Sequence, residues 1–452
     1  TLALDVPGAM AVYADMERYA TDHDDAPMRV SALNKAAYVS SMLMGDFPRA
    51  MGHLLESETL ARSCGDKPGL TEHIITRCTL MMAAGDFDNT VKYMNEVVDI
   101  GRDLKLGEQM AFGLTHVANA LTYMTRFEEA WDKAQEARVL TESIGDKLHL
   151  SEVLGNPIAF YHLRNGDLDQ AMSKARAGYE MAAAIGALYP EAIGALMFAW
   201  MARARGEYDA ALTSIDVALA AGRRSGLAFF DAMAYAFKSG VMLDMGQAYL
   251  PDASALSAAA LKPMETPMGG MAAGMAAWPL GEIALASGRP DTARALFERG
   301  IATPTPHMNL QRPLNLAGVA EARLQMGDIP GALETIREAG ALAEKSGMRH
   351  LRPFIDHGLG GILAASHDDA GALDAFGRAD AEATAMGLRP VAMRARTCAA
   401  DALLRMGRKS DSDVMRAAAD AMALEIAPFI ADPAQRASFL DTNLHMTRQT
   451  DA

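Results

Sequence analysis

Histidines and paired acids are the first residues to weigh for chemistry. His350 and His357 stand seven positions apart, two turns along one helical face, with Asp356 beside the second. Such spacing could bring two imidazoles to one metal ion. Asp24-Asp25 and Asp368-Asp369 each follow a histidine, and neighbouring carboxylates can hold a divalent cation. Neither pattern is completed. No HExxH motif occurs, and both aspartate pairs fall at breaks between predicted helices, where Asp is an N-cap. The two histidines then read as exposed or capping residues. A GxxxxGK phosphate loop is absent, since the dipeptide Gly-Lys never occurs. Cys64, Cys78 and Cys398 form no CxxC and no disulfide framework; Cys78 and Cys398 read as packed. No catalytic residue, metal site or cofactor is expected.

What the chain does carry is a recurring turn. Gly45-Asp46-Phe47, Gly85-Asp86-Phe87, Thr125-Arg126-Phe127, Gly166-Asp167-Leu168 and Gly206-Glu207-Tyr208 return about every 40 residues, and Gly246, Gly288, Gly327, His367 and Gly407 continue the series. A period of this size predicts stacked helix pairs. A second break lies 20 residues later, at Gly65, Gly145, Gly186, Gly226, Gly347 and Gly387, where Gly can end a helix in the left-handed conformation. Each unit thus holds a helix A before the turn and a helix B after it.

Three columns set the register. Seven residues before the turn glycine stands a small residue: Cys78, Ala118, Ala159, Ala199, Ser239, Gly281, Ala320, Gly360 or Ala400, with Tyr38 the exception. Five after it come Ala50, Ala130, Ala171, Ala211, Ala293, Ala332 and Ala372; twelve after it come Ala137, Gly178, Ala218, Ala258, Gly300, Ala339, Ala379 and Ala419. Small residues at fixed places let helices cross closely. Phe47, Phe87, Phe127, Leu168, Tyr208 and Ile329, two after the turn position, are expected to plug the space between A and B.

These columns resemble the tetratricopeptide repeat, with longer helices than its 34-residue unit. The longer variant is similar to the C-terminal helical regions of large bacterial signalling ATPases, among them LuxR-type regulators and cyclase–ATPase–repeat proteins. Ala385-Met386-Gly387-Leu388-Arg389-Pro390-Val391 and the tail Asp432-Pro433-Ala434-Gln435-Arg436-Ala437-Ser438-Phe439-Leu440 carry that likeness. The resemblance implies an all-α, right-handed superhelical solenoid, the sensor or scaffold arm of a larger protein, with helix A lining a concave groove. The register then nominates Asn119, Tyr123, Asn156, Phe160, Arg164, Trp200, Arg203, Trp278, Glu282 and Glu321 as groove residues. Trp, Tyr and Arg are favoured interface anchors. Charge reversal at Arg164 and Arg203 is expected to weaken partner capture without unfolding the array.

Composition agrees with a binding protein. Of 452 residues 50% are hydrophobic and only 6% aromatic, while 31 are Met. A net charge of −15 disfavours nucleic acid and anionic membranes as partners. No apolar run reaches the length of a membrane span. Few cysteines and no signal peptide point to the cytoplasm. The expected partner is a protein or peptide, or else a small effector; oligomeric state is open.

The expected organisation is a half repeat over 1–27, repeats over 28–250, an irregular Pro/Gly/Met-rich stretch over 251–274, repeats over 275–425 and a capping tail over 426–452. Helix B before the irregular stretch should end by about Leu261, ahead of Pro263. Thr303-Pro304-Thr305-Pro306-His307 reads as another loop. Asn156-Pro157 should kink a helix A or delay its start. Because residue 1 is Thr and Leu4-Asp5-Val6-Pro7-Gly8 parallels the turn at Gly327, the chain reads as cut from a longer polypeptide. Two other functions compete. One is an arm for self-association. The other is an α/α-toroid enzyme, whose signs would be converging acids and a closed ring of helices; the ends of this array read as open.

Overall fold

The computed structural model describes residues 6–44, 46–83, 85–265, 272–302 and 308–444. Among them every regular element is helical. The protein is an all-α solenoid of antiparallel, tetratricopeptide-like helix pairs, in which consecutive helices pack as neighbours. Contacts divide it into two compact units: Thr1–Met124 with Glu128–His149, and Thr125–Phe127 with Leu150–Ala452.

The first unit opens on the helix Val6–Asp22. A helices Ala26–Tyr38, Lys67–Ala83 and Gly107–Tyr123 then alternate with B helices Phe47–Cys64, Phe87–Leu104 and the body of Phe127–Ile144. Its core gathers Ile74, Cys78, Met94, Val97, Val117 and Leu121. In the second unit the complete A helices are Leu188–Arg205, Ala228–Asp244, Ala273–Ala286, Met308–Gln325, Arg352–Ala365 and Arg389–Arg405. Their B partners are Tyr208–Ser225, Leu250–Met264, Pro290–Ala302, Ile329–Lys345, Asp369–Met386 and Lys409–Ile426. A last helix, Pro433–Asn443, follows.

The turn works as its residue types dictate. Asp46, Asp86, Asp167, Asp328 and Asp368 accept a hydrogen bond from the amide three residues on, at Arg49, Asn89, Gln170, Gly331 and Gly371. Each is an N-cap that satisfies a donor the helix leaves over. Asp25 caps in the same way through Met28 N. Both aspartate pairs weighed for cation binding therefore supply a helix cap. Among the described residues no group of three His, Cys, Asp or Glu could hold a metal ion.

The small columns mark real crossings. Cys78, Ala118, Ala199, Ser239, Ala320 and Ala400 are fully buried. At Gly281 a Cβ would fall inside the ring of Phe297, and at Gly360 inside that of Phe376. The missing side chain on helix A is thus the space that the aromatic on its own helix B fills. Filling at this density leaves no room for one methyl group. The column twelve after the turn is equally tight, for a Cβ at Gly178 would press on the backbone of Ser151 and Gly155.

The register slips in places. Phe47 is 39% exposed rather than a plug. Ala258 also faces solvent. A 3₁₀ turn at Gln247–Tyr249 precedes its helix and rotates it, so Ala253, Ser257, Ala260 and Met264 are buried instead. That helix passes Leu261 and ends at Met264, with Pro263 in its last turn. Residues 266–271 and 303–307, where the two irregular loops were expected, lie outside the described residues. Pro157 neither delays its helix nor breaks it. Lys147–Val153 runs into a π-helical turn, Leu154–Ile158, and on into Ala159–Arg164. The wider turn absorbs a residue that has no amide to donate.

Where the turn lacks glycine the backbone is still left-handed. Thr125 has φ 61° and His367 φ 63°, beside φ 76° at Gly85 and 83° at Gly166. An L-residue pays about 1–2 kcal/mol for that conformation, and glycine returns part of the gain through its freer unfolded chain. His367→Gly should therefore stabilise the protein by about 0.5–1 kcal/mol. A urea titration checks this, and an unchanged or lower midpoint contradicts it.

Candidate functional site

Helix A carries a stripe of residues into the interior of the second unit. Trp200, Arg203, Asp244, Trp278, Glu282 and Glu321 stand on four successive A helices and face shared space. The main cavity there has a volume of about 400 Å³. A narrower extension of about 30 Å³ reaches Trp200 and Arg203. Phe354, Val391 and Arg394 line both, and His357 and Gln325 line the main cavity. Pockets of this size and mixed lining are where small ligands bind.

Arg203 organises the narrow end. Its Nε and Nη2 donate to the two carboxylate oxygens of Asp244 at 2.7 and 3.2 Å, and its Nη1 donates to Glu282 Oε2 at 2.9 Å. One guanidinium so spans three A helices. It passes over Gly240, where a Cβ would lie 2.6 Å from Arg203 Nη1. All three side chains are largely shielded from water. Burial works against the charge on Arg203, yet the two carboxylates outweigh it and raise its pKa. Glu282 is pushed up by burial, which Arg203 only partly offsets.

Glu321 differs. Burial raises its pKa, its hydrogen-bond partner is the neutral Gln325, and no cation lies within ion-pair distance among the described residues. His357 is held down to about 4, by burial first and by Arg394 second. Its ring lies 5.8 Å from that of Phe376 and its Nε2 is 3.8 Å from Cys398 Sγ. His350 is buried with its ring edge-on to Trp200, at 5.9 Å between centroids. Burial lowers its pKa to about 3. The expectation that these two histidines are exposed or capping residues is thus corrected: His350 is buried in the 3₁₀ turn Arg349–Leu351 and His357 is half-buried on the cavity wall, because the helix Arg352–Ala365 and the turn before it face the interior.

Distant repeats of this unit also meet. Arg389 Nε donates to the carbonyl of Arg205 at 2.7 Å, and Ala431 N donates to Asp209 at 3.0 Å. The ring of Phe439, on the last helix, lies 6.1 Å from that of Tyr208. Phe439, Thr442 and Asn443 bring that helix onto the cavity wall. The repeats around Trp200 and those around Arg394 therefore close over a common interior.

The nominated residues separate. Trp200, Arg203, Trp278, Glu282 and Glu321 are brought together. Phe160 is in the second unit but only 3% exposed, so it packs rather than lines a groove. Arg164 lies over the rings of Tyr161 and Phe127, and Asn156 sits in the π-helical turn. In the first unit Asn119 and Tyr123 are buried, Tyr123 against Phe87 at 5.6 Å. Asp244, Phe354 and Arg394 were missed, and His357 was weighed only as a metal ligand. Asp244 lies two before its turn glycine, the same place that Tyr123 and Arg164 hold before Thr125 and Gly166, and Phe354 and Arg394 lie thirteen before theirs. Extending the same helical face one turn further would have found the last two.

A profile of the tetratricopeptide repeat matches residues 274–299, which is one A–turn–B unit beside this cavity. A solved Rap protein complexed with competence and sporulation factor is similar in fold, with a TM-score of 0.57 at 12% identity over 80% of this chain and 99% of that one. A monomeric IFIT1 mutant with Gppp-AAAA aligns at TM-score 0.43 and 13% identity, over 91% and 95% of the two chains. The human IFIT1 dimer with PPP-AAAA aligns at 0.43 and 15%, over 93% and 95%. No curated protein matches the sequence. Among the described residues no helix is long and apolar enough to cross a membrane.

The buried network yields two expectations. Arg203→Ala strands two carboxylates in the interior and should cost about 3–5 kcal/mol, contrary to the sequence-based view that this position can be reversed without unfolding. The triple variant Arg203→Met, Asp244→Leu, Glu282→Leu should fall within a few kcal/mol of wild type; urea unfolding compares them. His350 titrates at about 3 in the fold against an ordinary 6.5. Its share of stability is full above pH 6.5 and is lost as pH falls, by about 2 kcal/mol between pH 7 and 5. His350→Phe should flatten that part of a stability–pH curve measured by urea midpoints; an unchanged slope contradicts it.

Proposed function

We propose that this protein is a non-catalytic binding scaffold whose second unit captures a peptide or small effector in its interior cavity. The observation that carries the reading is the cavity of about 400 Å³ at the meeting of distant repeats, with Trp278, Phe354 and charged groups in its lining and Trp200 in its narrow extension. Such a site holds its ligand against several helices at once, so occupancy changes how the repeats stack. The solved Rap protein, complexed with competence and sporulation factor, lends this reading support by analogy of fold. We read the array further as the sensor arm of a larger bacterial signalling protein in the cytoplasm, as the resemblance of its repeats implies.

The converging acids raise the enzyme alternative again, together with the closure of helices within this unit. They do not suit acid–base chemistry. Asp244 and Glu282 are both tied to Arg203, so their oxygens face a guanidinium and not a substrate, and a general base must reach the proton it takes. Glu321 is left without a second free carboxylate beside it.

The test uses a library of short peptides and small effectors, read by thermal shift and by quenching of tryptophan fluorescence. Ala317 lies on the cavity wall. Ala317→Phe should fill the space and abolish both signals while the far-ultraviolet circular dichroism stays unchanged. Ligands that bind this variant as well as wild type would place recognition elsewhere.

A further inference from the structure

Within the same cavity, and resting on the reading of it as a binding site, the charges left over after internal pairing identify a class of ligand. Arg203 holds Asp244 and Glu282 in ion pairs, one cation between two carboxylates. Two further charged side chains on the wall, Glu321 and Arg394, stand outside those pairs. Among the described residues Arg394 makes no hydrogen bond and no ion pair, although its charge acts on His357, Tyr208 and Glu282. Glu321 likewise faces no cation. A half-buried carboxylate and a half-buried guanidinium of opposite sign share one cavity without meeting each other.

We propose that the cavity recognises a short zwitterionic peptide of two or three residues, its free amino terminus on Glu321 and its free carboxylate on Arg394. Glu321 stands on the helix Met308–Gln325 and Arg394 on Arg389–Arg405, with Arg352–Ala365 between them. Two interaxial spacings of about 8–10 Å separate the outer pair. Once both side chains have reached inward, two or three extended residues at about 3.3–3.6 Å each span the gap. Guanidinium is the cation suited to a carboxylate, which it binds through two parallel hydrogen bonds. Trp278, Phe354 and Val391 stand on the wall of the same cavity and offer an apolar surface to a side chain. The raised pKa of Glu321 fits this picture, since burial without a counter-ion is a cost that an incoming ammonium removes.

The test screens three pools of tripeptides with an apolar central residue against the full chain. One pool has free ends, one is N-acetylated and one is C-amidated. Affinity selection is followed by calorimetry on the best binder. Binders should come from the free pool. Glu321→Gln should weaken the best one about ten- to a hundredfold and leave its acetylated form unaffected. Arg394→Gln should do the same with respect to amidation, and Arg394→Lys should restore part of the loss. Unchanged melting temperatures show that the variants are folded. Equal capture from the blocked pools, or variants that bind the free peptide as wild type does, overturns the assignment of the two ends. If no tripeptide binds while another ligand sensitive to Ala317→Phe is found, the peptide assignment falls and the cavity remains a binding site.

Discussion

Close crossing of helix A over helix B is the constraint from which the rest follows. At Gly281 and Gly360 the A helix has no side chain, and Phe297 and Phe376 from the B helix occupy the vacated volume. Alanine or serine does the same job less extremely at Ala199, Ser239, Ala320 and Ala400, all fully buried. Repeating one crossing repeats one small rotation between units. In the second unit that rotation accumulates until repeats 184 residues apart share a hydrogen bond, from Arg389 to Arg205.

Closure creates a place that no single repeat contains. Arg203, Asp244 and Glu282 come from three A helices, and Arg394 from a fourth, far along the chain. A buried ion triad adds little net stability when compared with apolar packing, but it penalises any arrangement that separates its members. Here it pins three A helices in one register at the narrow end of the cavity. The last helix, through Phe439 and Tyr208, covers another side. A site assembled from so many elements is sensitive to how the repeats stack, which is the property a sensor arm uses.

Much of the fold was legible because its determinants are local. The caps at Asp46, Asp86, Asp167, Asp328 and Asp368 depend on four consecutive residues, and the glycine breaks depend on one. Misreadings arose where a local perturbation shifted the phase. The 3₁₀ turn at Gln247–Tyr249 rotated one helix and exposed Ala258, and a π-helical turn took up Pro157 without the late start that was one expectation for it. For the site, the register named Trp200, Arg203, Trp278, Glu282 and Glu321. It also named Asn119, Tyr123 and Phe160, which are buried, because position on a helical face does not say how closely the next repeat approaches.

Sequence alone determined the period, the turn chemistry, the small-residue crossings and the inward face of helix A. Each is set by residues a few positions apart, and each therefore leaves a trace in spacing. Only the tertiary structure decided which charges are spent and which are left. Arg203 and Arg394 are both arginines on A helices, yet one lies between two carboxylates and the other has none within ion-pair reach among the described residues. That difference depends on side chains brought together across the interior, and ion pairing falls off over a few ångströms, a distance that position along the chain does not encode.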